Sequence, residues 1–583
     1  MFRGTFYLWK ERHLMIIKNF HKLLSVVMAL ICCINLTGCY ADKKASYECP
    51  YKEFIVVDVL DLFANDQGVQ SGWFGEIVRK KFNMELNIIT PNYSGGGDRL
   101  FEVRAAAGNL GDLIICRGAN GELENLVDVG LLYNMESDLR GKEILKYKDA
   151  IKNLNDNIPQ GGIYAIPSQV STNPPDVSSE GNEPIYGPYI RWDLYKELGY
   201  PVLDTVEDLL PLLKEMQKLC QKNGERTYGF SLFKEWDDNM MNAIKQPCCM
   251  YGYDEYGVVL AKADGSDYQS IIDEDSLYVR MLNFYFEANQ MGLVDPESIN
   301  QNYYRCFEKY RQGQILYSPW PWMCQPAYNS ALNMEQGRGF MMVPIGDMKI
   351  YSYGCYPYGN QDSIIAVGSQ AEDPERLVDF IDWLYSDEGI MTGQATHSGT
   401  AGPEGLTWEM HEDGPYLTDF GKKVLLDSKE MEVPDEYGGG TWESGISALN
   451  YKAVVQCEKS AAGYYYYYDM WDSVKVLDKS ALKKDWCEKM KADTTMEYLQ
   501  KNNMLLVATG MLYTAEAESM EQLTIRSLCK QAIQEYSWKM IFAADRETFE
   551  RLLEEMRAAV ISYGYNILLE YDIEHAKKAR GME

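Results

Sequence analysis

The sequence predicts an α/β protein with two lobes, each a mainly parallel sheet flanked by helices, with additional helices at the C-terminal end. Short apolar segments alternate with amphipathic ones from residue 54 to residue 116, which is the pattern of a parallel sheet with crossover helices. In addition, a chain of 583 residues exceeds the size that one hydrophobic core supports. At least two lobes are therefore expected.

The first lobe begins with three predicted strands separated by two predicted helices. The strands cover residues 54–60 (FIVVDVL), 86–90 (LNIIT) and 112–116 (DLIIC). The helices cover residues 75–82 and 98–107. Because the connections between these elements are short, the strands are expected to be parallel neighbours in one sheet.

A region rich in glycine and proline, residues 159–188, marks the predicted crossing into the second lobe. After it the chain becomes helical. A helix predicted over 192–198 ends at Gly199, and Thr205 with Asp208 has the spacing of a capping box at the start of the next helix.

The chain is expected to return to the first lobe near residue 363. Residues 363–367 (SIIAV) predict a strand, and Asp373 and Pro374 suit the N-cap and the first position of the helix that follows. From Met520 onward the sequence is helical, with one apolar stripe made by Phe549, Leu552, Leu553, Met556 and Val560, which indicates core packing. The predicted domains are 51–170 plus 355–430 for the first lobe and 171–354 plus 431–583 for the second.

The N-terminal region has the features of an export signal. Lys18 and Lys22 precede an apolar segment, residues 23–34, that is too short to span a bilayer. Leu-Thr-Gly-Cys at 36–39 resembles the lipobox of bacterial lipoproteins. We therefore predict a signal peptide over 1–38, translation starting at Met15, and acyl chains attached at Cys39.

The predicted lipid anchor would hold a globular protein at the outer face of the bacterial cytoplasmic membrane. Residues 39–50 are polar without periodicity and are expected to form the tether. Two or more acyl chains hold a protein firmly to a membrane, whereas a single chain gives only marginal membrane binding. An ordinary signal peptide, or an uncleaved anchor with an incidental cysteine, is the alternative.

Composition narrows the class of ligand. The formal net charge of -30 argues against nucleic acid and anionic lipid, because both need a basic surface. The 14 cysteines show no framework spacing, so several of those in the mature chain are expected to be free and buried. The excess of 43 Tyr and 12 Trp over 18 Phe favours binding surfaces with an apolar face and a polar rim.

Several segments resemble, in the same order, those of the extracellular solute-binding proteins of ABC importers, in the long lipoprotein branch that handles sugars and oligosaccharides. The clearest are residues 105–114 (AAAGNLGDLI), 162–167 (GIYAIP) and 190–199 (IRWDLYKELG). Further similar segments are 126–139, 205–209, 289–294, 307–313, 374–389 and 549–571. Gly111 departs from the family pattern, which usually has proline there.

The resemblance implies a fold of the type II periplasmic-binding-protein kind, with the ligand in the cleft between the lobes. It also implies a monomer that binds a carbohydrate, closes by a hinge motion and delivers the ligand to ABC permease subunits. No cofactor and no metal are expected. Sugar recognition requires aromatic faces for C–H surfaces and planar polar groups for hydroxyls.

Candidate ligand residues are the aromatic and polar side chains in predicted loops. They are Trp73 and Phe74 between two glycines, Arg117 after the third strand, Glu235 and Trp236, Trp320 and Trp322 after the apolar segment 315–318, Tyr353, Tyr356 and Tyr358, and Trp442 beside three glycines. Core packing is the alternative for the aromatic residues, and an ordinary surface position is the alternative for Arg117. Trp383 and Trp408 are interpreted as structural, and the tyrosine run 464–468 as either a stacking surface or a half-buried strand.

Catalytic and metal-binding patterns are missing from the sequence. It contains no Gly-x-Ser-x-Gly, no His-Glu-x-x-His, no phosphate-binding loop and no Cys-x-x-Cys. The predicted mature chain contains only His397, His411 and His575. We therefore predict a protein that is not an enzyme, with two alternatives: a secreted glycoside hydrolase, which needs only two carboxylates in a cleft, and a peptide-binding or adhesion lipoprotein.

Overall fold

A computed structural model describes residues 49–91, 98–119, 121–396, 399–427, 430–510, 513 and 518–582. Residues from Glu53 onward form one compact unit. The predicted signal peptide, Cys39, most of the tether and His397 lie outside the described residues. Among the residues that are described, no helix is long and apolar enough to cross a membrane.

The described strands are named here in chain order. They are β1 (Ile55–Asp61), β2 (Gly68–Val69), β3 (Met84–Ile89), β4 (Leu113–Cys116), β5 (Ala165–Ser168), β6 (Tyr189–Arg191), β7 (Tyr253–Tyr256), β8 (Val259–Lys262), β9 (Tyr268–Ser270), β10 (Tyr317–Ser318), β11 (Phe340–Met342), β12 (Ile350–Tyr353), β13 (Asn360–Val367), β14 (Trp408–His411), β15 (Gly414–Leu417) and β16 (Leu505–Ala508).

The described α-helices are α1 (Gly72–Phe82), α2 (Asp98–Ala106), α3 (Glu122–Asp128), α4 (Lys148–Asn155), α5 (Trp192–Glu197), α6 (Leu209–Lys222), α7 (Asn242–Cys249), α8 (Leu277–Gln290), α9 (Tyr303–Arg311), α10 (Pro321–Tyr328), α11 (Ala331–Glu335), α12 (Pro374–Leu384), α13 (Asp387–Gly393), α14 (Asp419–Gly421), α15 (Asp472–Lys475), α16 (Ala481–Met490), α17 (Thr495–Lys501), α18 (Met520–Ile541), α19 (Arg546–Tyr563) and α20 (Tyr565–Ala579). Short 3₁₀ turns cover Glu143–Tyr147, Val206–Asp208, Pro296–Ile299, Asp435–Tyr437, Glu443–Gly445 and Tyr468–Met470, and a π-helical turn covers Lys422–Leu426.

The first lobe is built on a six-stranded sheet with the order β2-β3-β1-β4-β13-β5. As predicted, β1 pairs in parallel with β3 and with β4. The strand predicted over 363–367 does return to this sheet, but it begins earlier and runs antiparallel between β4 and β5. The start of β13 therefore lies at the same edge as the ends of β1 and β4.

The second lobe departs in detail from the expected parallel sheet. Strand β6 pairs antiparallel with β10 and β11, and β7, β8 and β9 form a separate antiparallel sheet. Parallel pairing occurs between β12 and β16 and in the single bridges from Tyr228 to Ile315 and from Phe230 to Val294. The largest hydrophobic core lies here, and the stripe predicted on α19 is buried in it.

Local signals read from the sequence are present where expected. Thr205 and Asp208 form the capping box, and the Asp373 side chain accepts the backbone N–H of Arg376 at the start of α12. Trp383 and Trp408 are buried, in agreement with their structural interpretation. The tyrosine run forms no strand, and Tyr466, Tyr467 and Tyr468 are buried, which favours packing over an exposed stacking surface.

Trp442 and Asn450, which the predicted boundary at residue 430 assigned to the second lobe, contact residues of the first lobe. Trp442 stacks on Trp73 of α1, with ring centroids 4.7 Å apart. The Asn450 N–H donates to the Asp61 carboxylate at the end of β1 over 2.8 Å. The buried Asp61 carboxylate at the end of β1 requires hydrogen-bond donors, and the backbone N–H of Asn450 is one of them.

Three stretches meet where the chain passes between the lobes: residues 168–180, 353–360 and 450–458, which we call the junction segments. Val170 bridges in parallel both to Tyr356 and to Val454. The buried Glu458 carboxylate accepts hydrogen bonds from the Ser171 hydroxyl (2.6 Å) and the Thr172 hydroxyl (2.7 Å). The junction is therefore held by backbone pairing and by one buried acceptor.

Candidate functional site

Charged groups of the two lobes meet at the edge where β1 and β4 end. The guanidinium of Arg117, directly after β4, lies 3.8 Å from the carboxylate of Asp238 in the second lobe. Asp238 is also paired with Lys530 of α18, at 2.6 Å. Ligands of open α/β sheets bind beyond the carboxyl ends of the strands, so this is where a ligand is expected.

Asp362, at the start of β13, lies at the same edge. The surrounding protein desolvates its carboxylate and raises its pKa, an effect that the nearby Arg117 opposes. From the second lobe, Asp254 also raises this pKa and Lys245 lowers it. Within the described residues, its carboxylate oxygens take part in no hydrogen bond or ion pair, although the residue keeps solvent contact. We call the space bounded by these groups the cleft.

The wall of the cleft in the second lobe is an ordered polar network. The Lys245 ammonium lies 3.0 Å from the Asp254 carboxylate, which also accepts the Tyr353 hydroxyl. Burial alone would raise the pKa of Asp254, but Lys245 and the Tyr353 hydroxyl bring it below its usual value. Next to it, burial raises the pKa of Glu255 to about 7. The wall therefore presents two neighbouring carboxyl groups whose pKa values are moved in opposite directions.

Of the three tyrosines predicted near the hinge, Tyr353 joins this wall, whereas the Tyr358 carbonyl accepts the side-chain N–H of Asn153 in the first lobe. Tyr353 is half-buried, and its hydroxyl shares a 2.9 Å hydrogen bond with that of Tyr186 in addition to its bond to Asp254. Tyr356 is half-buried within the junction, where its carbonyl accepts the N–H of Ser171. Tyr358 is exposed. Tyr353 is thus a positioning residue for Asp254 in this structure.

Trp236, Trp320 and Trp322 come together in the second lobe. Their ring centroids are 5.7 Å apart for Trp236 and Trp320, 5.9 Å for Trp236 and Trp322, and 5.2 Å for Trp320 and Trp322. Phe233 and Tyr303 complete this group, which we call the aromatic platform. Trp236 is 37% exposed and Trp322 is 36% exposed, whereas Trp320 is 7% exposed. Two rings of the platform therefore face solvent, and Trp320 supports them.

The loop that carries Trp236 also reaches the cleft. The Glu235 carboxylate accepts the N–H of Tyr303 over 2.6 Å, which ties the loop to α9. Asp237 accepts the Trp538 indole N–H over 2.7 Å, and burial raises its pKa to about 6. Asp238 then contacts Arg117. Trp236 of the platform and the ionic contact between the lobes are thus neighbouring features of one anchored loop.

Trp73, Phe74 and Trp442 require a correction, because the structure places all three in the core of the first lobe. Each has 0% exposure. The Trp73 indole N–H donates to the Trp442 carbonyl over 3.0 Å. The flanking glycines suggested a loop, but α1 begins at Gly72, and a side chain at Gly445 would collide with the Trp73 ring. The glycines therefore permit close packing and do not expose the tryptophans.

Sequence reasoning missed the cleft residues Asp362 and Asp238, and it did not single out Lys452 of the junction. Lys452 keeps solvent contact, while surrounding protein desolvates its ammonium group and lowers its pKa. Its carbonyl accepts the Gln169 N–H over 2.7 Å within the junction. Asp362 could have been selected from the sequence, because this acidic residue stands directly before the strand predicted over 363–367. No local pattern marks Lys452, because its position depends on a long-range pairing.

A separate concavity of about 440 Å³ lies elsewhere in the second lobe. It is lined by Tyr251, Tyr253, Lys262, Asp264, Gln269, Leu277, Asp347, Lys349 and Leu506. None of the cleft or platform residues lines it. In the part of the chain that is described, no group of three or more His, Cys, Asp and Glu side chains is arranged to hold a metal ion.

Solved structures with a similar fold are substrate-binding proteins of ABC transporters. FusA of Streptococcus pneumoniae in complex with kestose is 13% identical, with 91% of this chain and 100% of that chain covered and a TM-score of 0.57. The N-glycan transport protein NgtS of the same species, with Man1GlcNAc, is 12% identical, with 90% and 100% covered and a TM-score of 0.51. An HMO-binding solute-binding protein of Bifidobacterium longum infantis is 13% identical, with 91% and 99% covered and a TM-score of 0.52.

These likenesses extend over almost the whole chain and show its fold. No protein-family model matches the chain, and no curated protein matches it in sequence. The chain therefore has the two-lobed fold of this class of binding protein.

Proposed function

We propose that the protein is the substrate-binding lipoprotein of an ABC importer, which captures a carbohydrate between its lobes and delivers it to membrane permease subunits. One observation carries the proposal: the exposed Trp236 of the platform, which packs beside the exposed Trp322, lies on the same loop as the acid that meets Arg117 of the opposite lobe. The fold adds support, because structural neighbours of this chain are complexes with kestose and with an N-glycan fragment.

The two sets of side chains suit different parts of a sugar. The exposed rings of Trp236 and Trp322 can cover apolar C–H faces, while Asp362 and Arg117 can exchange hydrogen bonds with hydroxyl groups. A ligand of several sugar units is long enough to use both sets. We therefore propose an oligosaccharide as the ligand and regard a single sugar as a weaker one.

Closure would follow from the same geometry. A ligand that contacts both walls stabilises the arrangement in which the walls are close, and hinge closure of this kind can be recognised by a partner. The Arg117–Asp238 contact exists only while the lobes are close. It is therefore the contact that we assign to the closed form.

The anchor belongs to the proposal as well. Acylation of Cys39 after removal of residues 1–38 would place a monomeric receptor at the outer face of the cytoplasmic membrane, beside its permease. The carboxylates of the cleft serve binding in this proposal and not hydrolysis, so no turnover is expected.

A ligand screen by thermal shift, followed by calorimetry, tests the function. A ligand present at 100 times its Kd stabilises the folded protein by about 2.7 kcal/mol. The proposal expects a shift with one class of oligosaccharide and intact ligand after long incubation. Cleavage of that ligand would identify a glycoside hydrolase, and shifts with peptides alone would identify a peptide-binding lipoprotein.

A further inference from the structure

Two cysteines face each other in the junction. The Sγ atoms of Cys355 and Cys457 are 3.3 Å apart, although the two residues are separated by 102 positions in sequence. Both are free thiols in this structure. Cys355 belongs to segment 353–360 and Cys457 to segment 450–458, so the pair joins two junction segments.

The backbone on both sides of the pair is fixed by the third junction segment. The Cys355 N–H donates to the Val177 carbonyl over 2.8 Å, and the Cys457 N–H donates to the Ser179 carbonyl over 3.3 Å. Segment 168–180 therefore holds the two cysteines side by side. Disulfide formation requires the two sulfurs to approach from 3.3 Å to the bonding distance of about 2.05 Å.

The two thiols differ in exposure and in acidity. Cys355 is fully buried, whereas Cys457 keeps partial solvent contact. The hydrogen bond between the thiols lowers the pKa of Cys355 and raises that of Cys457. A small oxidant can therefore reach Cys457, and the buried Cys355 lies 3.3 Å from the Cys457 sulfur, beside any group bound there.

We propose that Cys355 and Cys457 are a redox modification site that forms an intramolecular disulfide with small disulfide oxidants. Cys457 loses its proton and attacks one sulfur of the oxidant, which releases one thiolate and leaves a mixed disulfide on Cys457. The Cys355 thiolate then attacks the Cys457 sulfur and expels the second thiolate. The protein loses two protons and two electrons, and the oxidant becomes two thiols.

The cross-link would restrain the junction. Cys355 follows β12 of the second lobe after one residue, and Cys457 precedes Glu458, which binds Ser171 and Thr172 after β5 of the first lobe. A covalent link between them therefore limits relative movement of the two lobes. Formation of the disulfide does not depend on the proposed function, whereas its importance for ligand-driven closure does.

The test uses the full chain treated with oxidised glutathione or with a reductant, alkylated with N-ethylmaleimide and analysed by peptide mass spectrometry. We expect a linked pair of peptides containing Cys355 and Cys457, lighter by two hydrogen atoms than the sum of the free peptides. The linked pair should be absent in Cys457→Ser and should persist in Cys487→Ser, which removes another partly exposed thiol. Complete alkylation of both residues after oxidation, or glutathione on Cys457 without a link, would overturn the proposal.

Hydrogen exchange of the same samples measures the restraint. Slower exchange in residues 168–180 and 450–458 of the oxidised wild type, and not of oxidised Cys457→Ser, supports a stiffened junction. Equal exchange in both would refute the restraint. Ligand binding is not needed for either measurement, so failure here is distinct from failure of the carbohydrate proposal.

Discussion

Arg117 and Asp238 face each other across the cleft with 3.8 Å between guanidinium nitrogen and carboxylate oxygen. Both side chains keep much of their solvent contact, 57% and 38%. Ion pairs with such exposure contribute little to stability, because water solvates the separated charges well. The contact can therefore form and break at small free-energy cost, which suits a protein that must open to release its ligand.

The first prediction concerns this ion pair. A double-mutant cycle with Arg117→Ala and Asp238→Asn should give a coupling free energy of about 0.2 to 1 kcal/mol in urea unfolding, and the coupling should fall as salt is raised. The buried pair Lys309 and Asp295 is the contrasting case, because removing one partner leaves an unpaired buried charge. Coupling of several kcal/mol between Arg117 and Asp238 would contradict a weak, reversible contact.

The second prediction separates the exposed rings of the platform from the buried one. Trp236→Ala and Trp322→Ala should each weaken carbohydrate binding by about 1 to 3 kcal/mol in calorimetry, with little change in unfolding. Trp320→Ala should also destabilise the fold, because its ring is buried and its indole N–H donates to Gln246 over 3.0 Å.

Tyr416 on β15 provides the control for the platform variants. It is 37% exposed, the same fraction as Trp236, and it belongs to neither the platform nor the cleft. Tyr416→Ala should leave ligand affinity unchanged. Unaltered affinity in both Trp236→Ala and Trp322→Ala would remove the platform from the ligand site.

The third prediction follows from the buried stack in the first lobe. Trp73→Ala and Trp442→Ala should each lower the free energy of unfolding by about 3 to 5 kcal/mol, since each empties a large, fully buried volume. Because the two rings are in contact, the double variant should cost less than the sum of the single ones. Chemical denaturation measures both effects, and a loss of ligand affinity without destabilisation would contradict their assignment to the core.

These two groups of tryptophans show what the sequence could and could not predict. Strand β1 and helix α1 could be predicted from their local sequence, because burial of their side chains produces a clear apolar pattern in each. The same local reading could not tell Trp73 from Trp236, because each stands among polar or small residues. What separates them is packing with residues distant in sequence: Trp442 covers the first, while the rings around the second leave it 37% exposed.

Asp362 marks a different limit of sequence reasoning. Its strand was predicted, but its place in the cleft depends on the antiparallel insertion of β13 between β4 and β5. A parallel strand would have put the end of the strand, and not its beginning, beside Arg117. Strand direction within a sheet is set by the connections between lobes, which apolar periodicity does not encode.

The fourth prediction concerns the anchor. Cys39→Ser should abolish incorporation of a labelled fatty acid and release the protein from the membrane fraction, since the acylated thiol would be the attachment atom. Cys49→Ser, a nearby cysteine outside the lipobox, should keep both label and membrane attachment. Membrane retention of Cys39→Ser would favour the uncleaved-anchor alternative.

The fifth prediction uses Glu180 in the junction, whose buried carboxylate accepts the Ser352 hydroxyl over 2.6 Å and the Ile185 N–H over 3.1 Å. Burial raises its pKa from 4.5 to about 7. The folded state therefore holds this proton more tightly than the unfolded state, and the associated stability, about 3 kcal/mol, is present below pH 4.5 and lost as pH rises to about 7. Glu180→Gln stays neutral, so its free energy of unfolding in urea should fall less between pH 5 and pH 8 than that of the wild type. Equal pH dependence in the two proteins would mean that Glu180 is already ionised in the folded state at pH 5.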